Sequence, residues 1–278
     1  MPIYIPTRLD RLIQASLRGE HDYLAAPHKE SMPNFIVIGA AKSATTSLAS
    51  VFRKHSQVHF SSAKEPKFFG RNYERGWSWY SHFFEEGKDK PLRGEASTMY
   101  SSTYRSFRYT PELIKHHLGE IKIIYVIRHP LQRIVSHWRH YRGRHPDCPG
   151  FDQLITSKLL RKHIIDSSLY YEQLKRYLHV FPREMIYCVT YEELTTNPKE
   201  TLRKMFEFLS IRDECKKILR HGQLQKRNLA GSKGRDFIQL PKWPPELREK
   251  LVDIIKPDSE RILDHMNYPR DTWDWSIG

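Results

Sequence analysis

Residues 35–48 read Phe-Ile-Val-Ile-Gly-Ala-Ala-Lys-Ser-Ala-Thr-Thr-Ser-Leu: an apolar run that meets a glycine, a lysine and a knot of hydroxyls. A run this short and this apolar reads as a buried strand, here residues 34–38. Leu48, Val51 and Phe52 then recur at helical spacing, which predicts a helix over 44–54. Only a tight turn fits between them. Such a turn aims backbone N–H groups and the positive end of a helix at one spot, a setting for phosphate or sulfate. Lys42 adds a point charge, and Ser43, Thr45, Thr46 and Ser47 add neutral donors around Ala44. Hydroxyl residues are poor helix formers unless they cap or bind something. A Walker A loop has a glycine, four residues, then Gly-Lys-Ser/Thr. Here Lys42 follows Gly39 by three and is preceded by Ala41, so the loop is too short to wrap a triphosphate and suits a smaller anion.

The remaining pattern alternates strands with helices. Strands are expected near 58–60, 92–95, 121–127 and 185–190. Helices are expected at 111–118, 131–142, 167–180, 198–209 and 244–266, with an aromatic segment at 73–84 packing a small helix over the core. This reads as α/β, a single domain whose mostly parallel central sheet is flanked by helices. Residues 1–33, punctuated by Pro2, Pro6, Pro27 and Pro33, read as an extended or partly helical arm before a domain at 34–278. In such sheets ligands sit beyond the carboxyl ends of the strands.

The formal charge of +14 on 278 residues calls for an anionic partner. No nucleic-acid-binding signature accompanies it, so no nucleic-acid role is expected. No run approaches the ~20 apolar residues of a membrane span, and the first twenty residues lack the apolar core of a secretory signal. A cytoplasmic chain is expected. Cys148, Cys188 and Cys215 have neither metal-ligand nor disulfide spacing. His116–His117 and His137/His140 read as surface residues of helices, and no metal site is expected.

Three further stretches carry chemistry. Arg128 ends the strand at 121–127, and Ser136 lies eight residues on in the next helix. Two helical turns span ~11 Å, so one ligand could reach both; taken alone, they could equally be a sheet-edge cap and a surface residue. Gly231-Ser-Lys-Gly-Arg235 is a late basic loop whose glycines permit close approach of backbone to a ligand. Ala63-Lys-Glu-Pro-Lys-Phe-Phe69 sets Glu65 between Lys64 and Lys67, which hold its pKa down. On the residues alone Glu65 reads as a surface carboxylate.

Together these segments resemble the sulfotransferases that use 3′-phosphoadenosine 5′-phosphosulfate (PAPS), in order and at compatible separations from Asn34 to Phe237. The 39–47 turn is similar to their 5′-phosphosulfate loop, and Arg128 with Ser136 to their 3′-phosphate element. Gly231–Arg235 is similar to the loop that closes over the nucleotide, with Lys233, Gly234 and Arg235 as binding residues. In the heparan-sulfate-type branch that lysine also reaches the bridging oxygen, which makes Lys233 a leaving-group candidate. Thr190-Tyr-Glu-Glu-Leu is similar to the segment whose tyrosine lies near the adenine; Tyr191 either stacks there or is a half-buried aromatic. Lys-Glu-Pro-x-Phe-Phe matches the heparan-type stretch whose glutamate is the catalytic base, which implies that role for Glu65. Gly94-Glu-Ala-Ser-Thr-Met-Tyr100 resembles a substrate-side segment, so Glu95 and Ser97 either line an acceptor pocket or cap a turn.

The resemblance implies a P-loop-like sulfotransferase fold, PAPS as sulfuryl donor without a metal, and in-line transfer to a hydroxyl or amine of a sugar or small molecule. Neither the membrane anchor of the Golgi heparan enzymes nor their disulfide before the late loop, where this sequence offers only Cys215, is expected here. The chain therefore resembles a soluble bacterial-type relative, whose acceptor and oligomeric state the sequence does not name. The alternatives are a P-loop nucleotide kinase, which lacks its Gly-Lys-Ser/Thr here, and a non-catalytic polyanion-binding protein resting on charge alone.

Overall fold

The computed structural model describes residues 6–225 and 238–276. Five strands, β1 (Phe35–Gly39), β2 (Val58–Phe60), β3 (Leu92–Ala96), β4 (Lys122–Ile127) and β5 (Ile186–Thr190), form one parallel sheet in the order β2-β3-β1-β4-β5. β1 and, after Lys122, β4 are apolar and buried because the sheet is covered on both faces. Phe35 and Val37 of β1, with Ile124 and Val126 of β4, enter one core. Ile36, Ile38, Ile123, Tyr125 and Ile127 enter the other. The period-2 alternation of side chains divides one hydrophobic run between two cores.

The main helices are α1 (Arg8–Leu17), α2 (Thr45–Lys54), α3 (Thr110–Leu118), α4 (Pro130–Arg142), α5 (Tyr170–Leu178), α6 (Tyr191–Thr196), α7 (Pro198–Phe208) and α8 (Pro245–His265). Leu48 and Phe52 of α2 and Leu202 and Phe206 of α7 cover the first face. Leu113 of α3, Leu174 of α5 and Ile13 of α1 cover the second. Residues 161–165 form a π-helical turn beside α4.

The expected elements are present with ends displaced by a residue or two, except at two places. The helix expected over 167–180 begins only at Tyr170, because Leu169 leaves helical geometry. Asp258 of α8 accepts hydrogen bonds from the N–H groups of Tyr171 and Glu172, both at 3.0 Å, and so caps α5 from across the molecule. Helix α6 was not anticipated. It is opened by Thr190, whose Oγ1 accepts from the Glu193 N–H at 3.1 Å. Within the segment before β1, α1 starts at a reciprocal capping box between Thr7 and Asp10, and Asp10 also pairs with Arg108 at 3.0 Å.

Candidate active site

The β1–α2 turn is built by close packing and left-handed backbone. A Cβ on Gly39 would come 2.6 Å from Ser101 Oγ and 3.0 Å from the Tyr125 ring, so only glycine lets the strand end approach them. Lys42 and Ala44 both take positive φ, 74° and 60°. The Ala40 N–H donates to the Val126 carbonyl at 2.6 Å, which ties the turn to β4. Ala44 offers α2 no capping side chain. Ser43 is fully buried, and its Oγ has no hydrogen-bond partner among the described residues. A buried hydroxyl without a partner costs about 1–3 kcal/mol. Uncapped helix and unmatched hydroxyl together fit a bound anion.

Arg128 follows β4 and is turned onto this loop. Its Nη1 donates to the Lys42 carbonyl at 3.3 Å, its guanidinium lies 4.4 Å from the centre of the Tyr191 ring, and its Nε is buried without a partner among the described residues. Lys42, Arg128 and Tyr191 are thus brought together from the ends of β1, β4 and β5. Thr45 and Ser47 are buried at the start of α2, whereas Thr46 is half-buried. Ser136 is half-buried on α4. Lys233, Gly234 and Arg235 lie outside the described residues.

Arg133 was not singled out by the sequence. Its side chain is fully buried and forms no ion pair among the described residues. Nε and Nη2 donate to Ser168 Oγ at 2.9 and 2.7 Å, and Nη2 also to the Ile164 carbonyl. Nη1 donates to the Ala41 carbonyl at 3.4 Å and to His137 Nδ1 at 3.0 Å. Arg133 therefore braces the anion loop from beneath and leaves a buried positive charge there. Its planar fork suits this role, which a lysine would not fill. Burial, then the charges of Arg133 and Lys42, hold His137 well below its ordinary pKa. His137 is therefore a neutral partner of Arg133 instead of a surface residue. His117 is corrected likewise: its side chain is only 2 % exposed, and burial depresses its pKa to about 4.

The loop after β2 carries Glu65. Lys64 Nζ lies 2.9 Å from Oε1 and Lys67 Nζ 3.2 Å from Oε2, while Thr98 donates to Oε1 at 3.3 Å. Burial raises the Glu65 pKa, but the two lysines outweigh it, and the carboxyl stays below its ordinary value. Glu65 is therefore ionised at neutral pH and partly shielded from water.

Glu95 and Ser97 are completely buried, so they do not line an open pocket. Glu95 accepts from Tyr80 Oη at 2.9 Å, Tyr100 Oη at 2.7 Å and Ser97 Oγ at 2.5 Å. Ser97 Oγ in turn accepts from the Lys67 N–H at 2.9 Å, and Tyr100 Oη from the Phe69 N–H at 3.2 Å. The Glu95 carboxylate is the hub that holds the Glu65 loop in place. Burial, chiefly, raises its pKa to about 7 despite the three donors, and the charge of Glu65 adds to the rise.

The parallel sheet thus orders groups far apart in sequence along one edge: Glu65 after β2, Thr98 after β3, Lys42 after β1, Arg128 after β4 and Tyr191 after β5. Strands ~4.8 Å apart spread this row over ~19 Å. β1, where the connections change direction, stands at its centre, which is where open α/β sheets bind ligands.

A sulfotransferase domain model matches residues 32–230, and the chain belongs to this family. Among curated relatives it is 28% identical over 197 residues to mouse heparan sulfate glucosamine 3-O-sulfotransferase 3B1, covering 68% of this chain and 49% of that protein. The chain thus spans about half the length of that relative. Among solved structures, a sulfotransferase from Alicyclobacillus acidocaldarius superposes with a TM-score of 0.65 at 22% identity, covering 88% of this chain and 99% of the other. Mouse sulfotransferase SULT7A1 complexed with PAP gives 0.54 at 18% identity, covering 92% and 95%. These likenesses show the P-loop-like sulfotransferase fold. No helix among the described residues is long and apolar enough to cross a membrane.

Proposed function

We propose that this chain transfers a sulfuryl group from PAPS to a hydroxyl or amine of a glycan or small-molecule acceptor. The observation that carries the reading is the spatial order along the sheet edge. An aromatic and an arginine lie at one end, an uncapped helix with Lys42 at the centre, and an ionised, half-shielded carboxylate at the other. In this reading Tyr191 supports the adenine, and Arg128 with Ser136 takes the 3′-phosphate. Lys42, Ser43, Ala44, Thr45, Thr46 and Ser47 cradle the 5′ end through backbone and hydroxyl donors. Ser43 Oγ and Arg128 Nε, both buried without partners among the described residues, would be satisfied by those anionic oxygens. PAPS supplies an activated sulfuryl group when bound.

Glu65 takes the proton of the attacking hydroxyl or amine. Lys64 and Lys67 fix both carboxylate oxygens, and the Glu95–Ser97 hub fixes the loop, so the base is positioned before the acceptor arrives. Lys42 offsets the charge growing on the departing phosphate oxygen, as does Lys233 by resemblance. No residue of the row requires a metal for these roles. Residues 34–278 form the transferase domain in this reading, 1–33 its N-terminal arm, and the setting is cytoplasmic. The test is release of 3′-phosphoadenosine 5′-phosphate (PAP) from PAPS across a panel of sugars, phenols and amines. At least one acceptor is expected to accelerate release; ATP-dependent phosphorylation of the same panel, with no response to PAPS, would contradict the reading.

A further inference from the structure

At the opposite end of the sheet, Asp22, His116 and His117 direct one oxygen and two ring nitrogens at a common point, all within 4.8 Å of one another. The two histidines end α3, shortly before β4 begins, and Met32 nearby precedes β1, so this point lies at the amino ends of the strands. The sulfuryl-transfer row lies at the carboxyl ends. Asp22 belongs to a helical turn at Asp22–Ala25, almost a hundred residues earlier in the chain.

We propose that Asp22, His116 and His117 form a binding site for a divalent transition metal of the zinc class, which ties the N-terminal segment to α3. His116 Nε2 lies 2.7 Å and His117 Nδ1 3.8 Å from Asp22 Oδ1. Ligand atoms ~2.0–2.2 Å from a zinc ion stand about 3–4 Å apart, so small side-chain movements close the set around one ion. Two imidazoles and a carboxylate are the donors that borderline metals take, whereas magnesium and calcium prefer oxygen alone. The other nitrogen of His117, Nε2, is 2.8 Å from Tyr73 Oη. That is the outer hydrogen bond that fixes tautomer and ring orientation in metal-bound histidines. Trp77 packs edge-on against the same ring at 4.5 Å and holds it in place. A surface pocket lined by Lys29, Met32 and Trp77 adjoins the three groups and leaves a side open for a fourth, exogenous ligand.

A competing arrangement needs no ion: Tyr73 donates to His117 Nε2, and His116 Nε2 donates to Asp22 Oδ1, with His117 Nδ1 left 3.8 Å from that oxygen. Metal titration of the full, untagged chain after chelator treatment separates the two. Zinc, followed by calorimetry, is expected to saturate at one equivalent, cobalt to give a ligand-field absorption band, and magnesium to do neither. Asp22→Ala combined with His116→Ala changes two partly exposed groups. It is expected to abolish both signals while apo melting temperature and circular dichroism stay close to wild type. Tyr73→Phe keeps all three ligands and is expected to weaken binding ~10–100-fold. Absence of zinc binding by wild type overturns the proposal. So does equal binding by wild type and the double variant, which would place the metal on other histidines.

Discussion

Glu95 gives the account its most quantitative test. The carboxyl is completely buried, and its pKa stands near 7 instead of 4.5. A folded-state pKa above the unfolded one means that protonation favours the fold. The contribution is complete below pH 4.5 and is lost as pH rises through 7. The distance between the two values is worth ~3 kcal/mol at ~1.4 kcal/mol per pH unit. Glu95→Gln keeps the shape of the protonated acid. The tyrosines can still donate to its oxygen, and it cannot ionise. Urea denaturation of both proteins from pH 4.5 to 8.5 should therefore show the wild type losing ~3 kcal/mol relative to the variant, mostly between pH 4.5 and 7, with a constant gap above. Groups that titrate alike in both proteins cancel in the difference. Because ~1 kcal/mol moves the melting temperature of a domain of this size by ~2–4 °C, the same trend is visible by calorimetry. A gap that does not change with pH would refute the reasoning, since it would mean that Glu95 ionises normally inside the fold.

Other expectations follow from the same geometry. Ser43→Ala removes a buried hydroxyl that has no partner among the described residues; melting should be unchanged or slightly higher, while calorimetric PAP affinity falls ~10-fold or more. A clear loss of stability would mean that Ser43 is structural. Glu65→Gln and Lys42→Ala should each lower acceptor-dependent PAP release ~10²–10⁴-fold with little change in melting; near-normal turnover in Glu65→Gln would remove it as the base. Arg133→Met should destabilise the fold, since the Ala41 and Ile164 carbonyls lose a donor, and should weaken PAP binding. It should also raise the titration midpoint of His137, read by NMR, because the Arg133 charge helps to hold that pKa down. An unmoved His137 titration would contradict that coupling.

What the sequence disclosed and what it hid divide along physical lines. The strand–turn–helix at 35–54 was legible because a doubly covered strand must be apolar on both faces and because Gly39, Lys42 and the hydroxyls leave little else for the turn to do. Arg128, Tyr191 and Glu65 were legible only as local motifs; the parallel sheet is what sets them along one row, Arg128 beside Tyr191 and Glu65 at the far end. Helix α6 had an unread signal, since Thr190-x-x-Glu193 is a capping pattern. Arg133 had none. A charged residue five positions after Arg128 looks like a solvated helix face, and only tertiary structure shows it buried against Ala41, Ile164 and Ser168. Glu95 read either as a pocket carboxylate or as a turn cap, and its three hydroxyl partners come from Tyr80, Ser97 and Tyr100, two of them in irregular chain. His117 was taken for a surface residue because burial of the α3 end depends on Trp77 and Tyr73, which arrive from a distant segment.

The most direct test of the central claim is the thermal stability of the protein with PAP and no metal, set against ATP with magnesium. A ligand at ~100 times its Kd adds ~2.7 kcal/mol, a rise of several degrees. The row from Tyr191 through Arg128 to Lys42 predicts that rise with PAP alone, and its loss in Arg128→Ala. A rise with ATP and magnesium but none with PAP would contradict the account.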